Sequence, residues 1–440
     1  MDTPFDLLLR GGALFTPSGL VEGDLGLRDG RIAAIGDLSR ATAAETFDLR
    51  GLTVLPGVID SQVHFREPGL THKEDLASGT AAAAQGGVTA IMEMPNTSPS
   101  TTTAAALQDK LDRAAGRAWV DHAFFIGASA ENVDQLAALE RLPGCAGVKV
   151  FMGSSTGSLL VADDETLGAV LRNGSRRVAI HAEDEERLNA RKALATAAAH
   201  PRAHHVWRDA DTARRATERV LRLAVAAGRP VHILHVTTAD ELPLLAAHRD
   251  LATVEVTPNH LFLTAPEAAE RLGTRSQMNP PVREAHHRAA LWEAIQDGLV
   301  DVIGSDHAPH TLEEKARPYP SSPSGMPGVQ TLLPLLLDAV HHGLLSLQRL
   351  VDLTSAGPAR IYGLRGKGRL ARGYEADLTI VDLEARRTIT NDWIASKVGW
   401  TPFDGRPVVG WPIATVVRGR VVMRDGALLG TPIGAPLRFA

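Results

Sequence analysis

Eight short apolar runs, separated by Ala-, Leu-, Arg- and Glu-rich stretches of helical texture, fill the middle of the chain. They are VIDSQVH (58–64), VTAIMEM (88–94), VDHAFFI (120–126), AGVKVFM (146–152), RVAIHAE (177–183), PVHILHV (230–236), TVEVTP (253–258) and VDVIGSD (300–306). Strands that alternate with helices in this way read as repeated βα units. Eight of them predict an α/β fold, a (β/α)₈ TIM barrel, over residues 56–364.

The two ends have another texture. LLLRGGALF, GDLGLRDGRIAAIG and FDLRGLTVLPG alternate apolar runs with Gly-rich or Asp-Gly turns, as antiparallel hairpins do. ADLTIVDL and ATVVRGRVVMRDG repeat that texture after residue 365. Residues 1–55 and 365–440 are therefore expected to form one composite β-sandwich domain, with VVRGRVVMRDG beside LLLRGGALFTPSG.

Composition removes several function classes. Lys+Arg 46 against Asp+Glu 51 gives a net charge of −5, which is not the footprint of a nucleic-acid binder. The single cysteine, Cys145, excludes an intramolecular disulfide and a thiolate zinc cluster. Placed just before the fourth run, it reads as a small buried apolar residue. No basic n-region opens the chain, and TLLPLLLDAV from Thr331 is interrupted by Pro334 and Asp338. A soluble, cytoplasmic protein with no membrane partner is expected.

Barrels of this type place chemistry at the C-terminal strand ends, and here seven of the eight are polar. They offer His64 with Arg66, Asn96, Lys149, His181, His235, Asn259 with His260, and Asp306 with His307 and His310. One histidine at a strand end is unremarkable. Imidazoles and a carboxylate converging on one face suit zinc or a similar divalent metal, one or two ions. Alternation in GVKVFM sets Val148 and Val150 on one face and Lys149 on the other, inside the barrel. Burial lowers an amine's pKa. A neutral amine beside metal can form a carbamate that bridges two ions, whereas a lysine that snorkels to the mouth pairs with a carboxylate. Spacing leaves both readings open.

DSQVHFREPG (60–69), MEMPNT (92–97), VKVFMGSSTG (148–157), IHAE (180–183), ILHVTT (233–238), MNPPVR (278–283) and GSDHAPH (304–310) together resemble the amidohydrolase superfamily, and within it the dihydroorotases. VLPGVID (54–60) and GRLARGYEADLTIVD (368–382) resemble that superfamily's sheet-domain junctions. The resemblance implies a hydrolase that reversibly cyclises N-carbamoyl-L-aspartate to L-dihydroorotate in pyrimidine synthesis. Hydantoinases and allantoinases are the alternative cyclic amidases. The resemblance further implies that His64, His181 and His235 are metal ligands and that Lys149 is a carbamylated bridge. It makes Asp306 both ligand and catalytic acid/base. Arg66, Asn96 and His310 match positions that hold the substrate carboxylate, and Asn279 a pyrimidine-ring contact. A small-molecule substrate, a homodimer and association with aspartate transcarbamoylase also follow from it.

The family pattern is usually His-x-His at the first strand, yet residues 62–64 read Gln-Val-His. An amide oxygen is a weaker zinc ligand than imidazole, so Gln62 leaves the more exposed metal position weakened or altered. It also leaves room for a non-catalytic dihydroorotase-like subunit. The segment TLEEKARPYPSSPSGMPG (311–328) reads as an ordered active-site loop, with Gly325 and Gly328 permitting close approach. The pairs His204-His205, His286-His287 and His341-His342 are expected at the surface. Gly363, Gly366 and Gly368 around Lys367 do not make a phosphate loop, since no Ser or Thr follows the lysine.

Overall fold

The structure, a computed structural model, describes residues 4–153 and 159–440. The end of the VKVFMGSSTG motif, residues 154–157, lies outside the described residues. Strand β1 (Phe5–Thr16) pairs antiparallel with β2 (Gly19–Arg28), and β2 with β3 (Arg31–Gly36). Asp29 and Gly30 join the latter pair with φ of 51° and 71°, as a two-residue type I′ turn requires. The next two strands depart from the expected hairpins. β4 (Ala43–Asp48) and β5 (Thr53–Pro56) pair with successive parts of β1 in parallel. β3 already runs in β1's direction, and the chain then crosses back over β2 to the free side of β1 without reversing, so β4 enters parallel to it.

The barrel strands follow as β6 (Val58–Val63), β7 (Val88–Glu93), β8 (Asp121–Gly127), β9 (Cys145–Phe151), β10 (Val178–His181), β11 (Val231–Ile233), β12 (Ala252–Val256) and β13 (Val302–Ile303). They hydrogen-bond in chain order, all parallel. A parallel bridge between Val63 and His307 and a 2.7 Å bond from His64 N to His307 O bring the ends together. Helices cover the outside. The longest, Ala210–Ala227, is capped by the Asp209 side chain and stopped by Gly228 in the left-handed region. It turns Ala213, Ala216, Val220, Leu221 and Ala224 inward at helical spacing. Val58, Val148, Val150, Val178 and Ile180 face these helices from the strands in one continuous core. Each fully buried Val, Leu or Ile there contributes roughly 1.5–3 kcal/mol.

The C-terminal strands are β14 (Leu378–Ile389), β15 (Arg406–Val417), β16 (Arg420–Arg424) and β17 (Ala427–Leu428). They complete a mixed nine-stranded sheet in the order β17-β16-β15-β14-β5-β1-β2-β3, with β4 against β1. The end segment thus shares a sheet with the opening one but is not its neighbour. β14 pairs antiparallel with β5 and stands, with β5, between β15 and β1. Leu7, Leu9, Leu25, Leu378, Ile380 and Val416 form this sheet's own core, joining both ends of the chain. The link between β14 and β15 reaches the barrel mouth, where Trp400 Nε1 donates to His310 O at 2.8 Å. The apolar stretch after Thr331 is the buried helix Leu332–His341, packed on β15. No helix among the described residues is long and apolar enough to cross a membrane.

Candidate active site

At the C-terminal ends of the strands a cavity of about 90 Å³ is lined by Gln62, His64, Arg66, Asn96, Lys149, His181, His235, Asn279 and Asp306. His310 stands behind it, with its Nε2 3.3 Å from the Arg66 guanidinium. The ten residues expected in the metal and substrate sites therefore meet at one place. Three of them leave the strands in an unusual conformation: Arg66, His235 and Asp306 have φ of 67°, 38° and 48°. A side chain in that left-handed region costs on the order of 1–3 kcal/mol. At these positions the backbone turns so that the side chain enters the pocket.

Lys149 reaches the pocket through a bulge. The β8–β9 register slips between the Phe124–Cys145 and Phe125–Gly147 pairs, and Gly147 has φ 137°. Beyond the bulge, Val148 and Val150 join the outer core while Lys149 points inward. Its side chain does not reach the barrel mouth. It is 1 % exposed, and burial pulls its pKa down to about 7.

The imidazoles are oriented from behind. His181 Nε2 donates to Glu183 Oε2 at 2.8 Å, and Arg208 holds that carboxylate at 2.5 Å and 3.0 Å. Burial would raise the Glu183 pKa, but Arg208 and His181 outweigh it and hold the carboxyl well below its usual range. With Nε2 protonated, His181 turns a bare Nδ1 toward His235 Nε2, 3.0 Å away. Similarly, His64 Nδ1 donates to Asn96 Oδ1 at 2.7 Å, which leaves a bare Nε2 3.1 Å from Asp306 Oδ1. A lone pair facing a carboxylate oxygen is unfavourable unless a cation or proton lies between them. Gln62 Nε2 donates to the same Asp306 Oδ1 at 3.1 Å. Turning that amide over would set two oxygens against each other, so its orientation is determined, and Gln62 Oε1 is left buried without a partner. His235 Nδ1 is unpartnered too. This donor set, with Gln62 Oε1 and His235 Nδ1 unpartnered and the bare His64 Nε2 facing a carboxylate, fits a divalent cation.

Above the pocket, Asn279 Oδ1 accepts from His204 Nε2 at 3.0 Å. His204 is buried between Trp207 and Tyr319, which corrects its expected surface position: the 199–208 insert folds over the barrel mouth. His287 is buried as well, accepting from Ala239 N. His205 is partly buried, whereas His286, His341 and His342 are exposed as expected. His310 packs among Arg66, Lys73 and Glu314, with its Nε2 3.0 Å from Ser324 O. Gly325 lines the pocket, and a Cβ there would strike the Ala308 carbonyl. Gly328 instead donates to His307 Nδ1.

Two strand-end groups serve the scaffold. His260 bonds Thr257 Oγ1 and Pro280 O, and neither it nor Asn259 lines the cavity. His307 bridges Glu74 and the Gly328 and Val329 amides. Cys145 is buried, and its thiol is pushed up to about 11. Sequence reasoning missed Glu183, Arg208, His204 and Lys73. Only Glu183 carried a signal, a carboxylate two residues after a strand-end histidine. Far from the pocket, Asp121, Glu375 and Asp377 converge closely enough to suggest a metal site. Lys367 Nζ already occupies that space, 2.8 Å from Asp121 and from Glu375 and bonded to Asp377, so an ammonium is the cation there.

Comparison with known proteins agrees with this fold. The amidohydrolase family model matches residues 53–422. A dihydroorotase of Halobacterium salinarum is 41 % identical over 376 residues, 84 % of this chain and 86 % of that protein. An allantoinase of Rubrobacter xylanophilus is 37 % identical over 446 residues, 99 % and 98 %. Among solved structures, an L-hydantoinase from Arthrobacter aurescens superposes with a TM-score of 0.94 at 32 % identity, covering 98 % of this chain and 99 % of that one. A matched barrel, a shared sheet domain and relatives aligned over nearly the full length leave one conclusion: the chain belongs to the amidohydrolase family.

Proposed function

We propose that this protein is a metal-dependent dihydroorotase, which interconverts N-carbamoyl-L-aspartate and L-dihydroorotate. The observation that carries the reading is Arg66. Its guanidinium is buried beside the pocket, with desolvation lowering its pKa to about 10, and it makes no ion pair among the described residues. A planar, charged fork without an anion is suited to a substrate carboxylate. Dihydroorotate and carbamoyl aspartate bring one; hydantoin and allantoin do not. With both Asn96 Oδ1 and Asn279 Oδ1 already accepting from histidines, each asparagine offers its NH₂ to substrate oxygens.

His64, Lys149, His181, His235 and Asp306 would hold the metal, zinc or a similar divalent ion, with Gln62 Oε1 as an added oxygen donor. Lys149 would act as a carbamate bridge if two ions are bound. The metal, when bound, supplies Lewis acidity and lowers the pKa of water. Asp306 carries the proton. Gln62 pins its Oδ1, and Oδ2 remains to take a proton from the attacking water and return it to the departing amide nitrogen. In ring closure the same oxygen accepts the ureido proton. Arg66, with His310 beside it, anchors the carboxylate so that the scissile amide meets Asp306.

A second reading, a non-catalytic subunit beside aspartate transcarbamoylase, has one observation in its favour: Gln62 occupies a usual ligand position and binds Asp306. Metal analysis with parallel assays on dihydroorotate, hydantoin and allantoin tests both. Turnover of dihydroorotate well above the other two is expected. A metal-loaded enzyme that hydrolyses hydantoin or allantoin and spares dihydroorotate would overturn the carboxylate assignment, and one inert to all three would favour the subunit.

A further inference from the structure

Lys315 ends the short helix Leu312–Lys315 that follows the last barrel strand, and its side chain is buried at 1 % exposure. Its Nζ donates to three backbone carbonyls: Gln277 O at 3.1 Å, Pro323 O at 2.8 Å and Gly325 O at 3.2 Å. An ammonium has three donors and no acceptor, so its capacity is used in full. Among the described residues no carboxylate pairs with it. The three oxygens surround it as they would a small monovalent cation, here tethered to the chain.

The carbonyls belong to two segments that meet over the pocket. Gln277 lies two residues before Asn279, and Pro323 and Gly325 flank Ser324; Asn279, Ser324 and Gly325 all line the cavity. Other bonds follow the same seam. Gly325 N donates to Gln277 O at 2.8 Å, and the Gln277 amide bonds both Ser322 O and Ser322 Oγ. Ser324 O in turn meets His310 Nε2. Without the ammonium, Gln277 O would keep only the Gly325 amide, and the Pro323 and Gly325 carbonyls would lose the donor they share, so the seam would loosen.

We infer that Lys315 is a positioning residue for substrate binding, a built-in cation that fixes the Ser324–Gly325 backbone over the ring subsite. It touches no reacting atom and acts through that backbone. Its link to substrate rests on the proposed function; its role as a clasp does not. Desolvation, with no carboxylate beside it, pulls its pKa down to about 7, so the three carbonyl bonds, and not the pKa, carry the inference.

Lys315→Met keeps the length of the side chain and removes every donor. In the metal-loaded enzyme the KM for dihydroorotate should rise by about tenfold with kcat changed far less, the pattern of lost binding. Amide exchange should accelerate across 318–326 and not in the barrel strands. Millimolar ethylammonium should partly restore KM in Lys315→Ala, whereas tetramethylammonium, equal in charge but without donors, should not. If Lys315→Met does not fold, Lys315→Gln, with two donors on a shorter arm, carries the same measurements and should show a smaller rise. Unchanged KM together with unchanged exchange would overturn the inference, as would equal rescue by both cations. If wild type proves inert to dihydroorotate, the functional reading fails alone, and exchange over 318–326 still decides the clasp.

Discussion

At the N-terminal ends of the barrel strands, Lys367 sits among Asp121, Glu375 and Asp377, and Arg418 and Arg438 close on Asp121 and Glu375. Three cations meet three carboxylates. At the C-terminal ends, Lys149 is as deeply buried but makes no ion pair among the described residues, and Gln62 Oε1 and His235 Nδ1 lack partners. Both regions are dense in buried charge. The lower one is saturated, joining the sheet domain to the barrel; the upper one is left incomplete, as a pocket must be if a ligand is to complete it. Unmet hydrogen-bonding capacity, more than the number of acidic side chains, therefore separates a binding site from a structural junction.

Asp306→Asn attacks the incomplete end at its centre. It preserves volume and removes the proposed proton carrier, so kcat for dihydroorotate should fall by roughly 10³-fold or more while the melting temperature stays near wild type. Turnover within a few-fold of wild type would sink the acid/base assignment. The matching change at the saturated end, Lys367→Met, leaves three carboxylates without their ammonium. A loss of about 3–5 kcal/mol of stability is expected in chemical denaturation, with kcat and KM of the folded fraction unaltered. Should Lys367→Met instead lower turnover at unchanged stability, the contrast between the two ends would collapse.

Arg66→Lys sharpens the comparison within the pocket, because it keeps the charge and discards the fork. The KM for carbamoyl aspartate should rise by about tenfold with metal content unchanged. Normal substrate affinity in this variant would mean that the carboxylate is held elsewhere. The smallest effect is expected at Gln62. Gln62→His exchanges a weak amide donor for imidazole but gives up the bond to Asp306, so metal affinity should tighten by about tenfold or less. Titration of metal into the two apo proteins, side by side, measures it. Equal stoichiometry and affinity would show that the amide already completes the site.

The barrel strands were readable because their apolar runs are long and their spacing regular; β6, β7, β8 and β9 begin within one residue of expectation. β11 and β13 are shorter than the runs that announced them, since the chain turns out of the ladder before His235 and Asp306. Periodicity reports apolar residues and is blind to a backbone that changes region at one position. The β4 and β5 pairings were misread for a related reason. Turn-rich composition signals short strands, while the direction of pairing depends on where the chain crosses the sheet. His204 was misplaced because nothing local shows that an insert between barrel strands folds back over the mouth.

What the sequence determined by itself was the alternation of strand and helix, the polar strand ends and the residue types of the pocket, all properties of neighbours along the chain. The tertiary structure decided which of these polar ends stay unsatisfied. His260 had the same local appearance as His235, yet His260 meets Thr257 and Pro280 while His235 keeps an open nitrogen. Glu183 and Arg208, 25 residues apart, set the His181 tautomer. Lys367 gains its carboxylates from two separate stretches of chain, and Lys315 its carbonyls from segments 8 to 38 residues away. Hydrogen bonds and ion pairs act over about 3 Å. Which partners come within that distance is set by long-range packing, which no local pattern encodes.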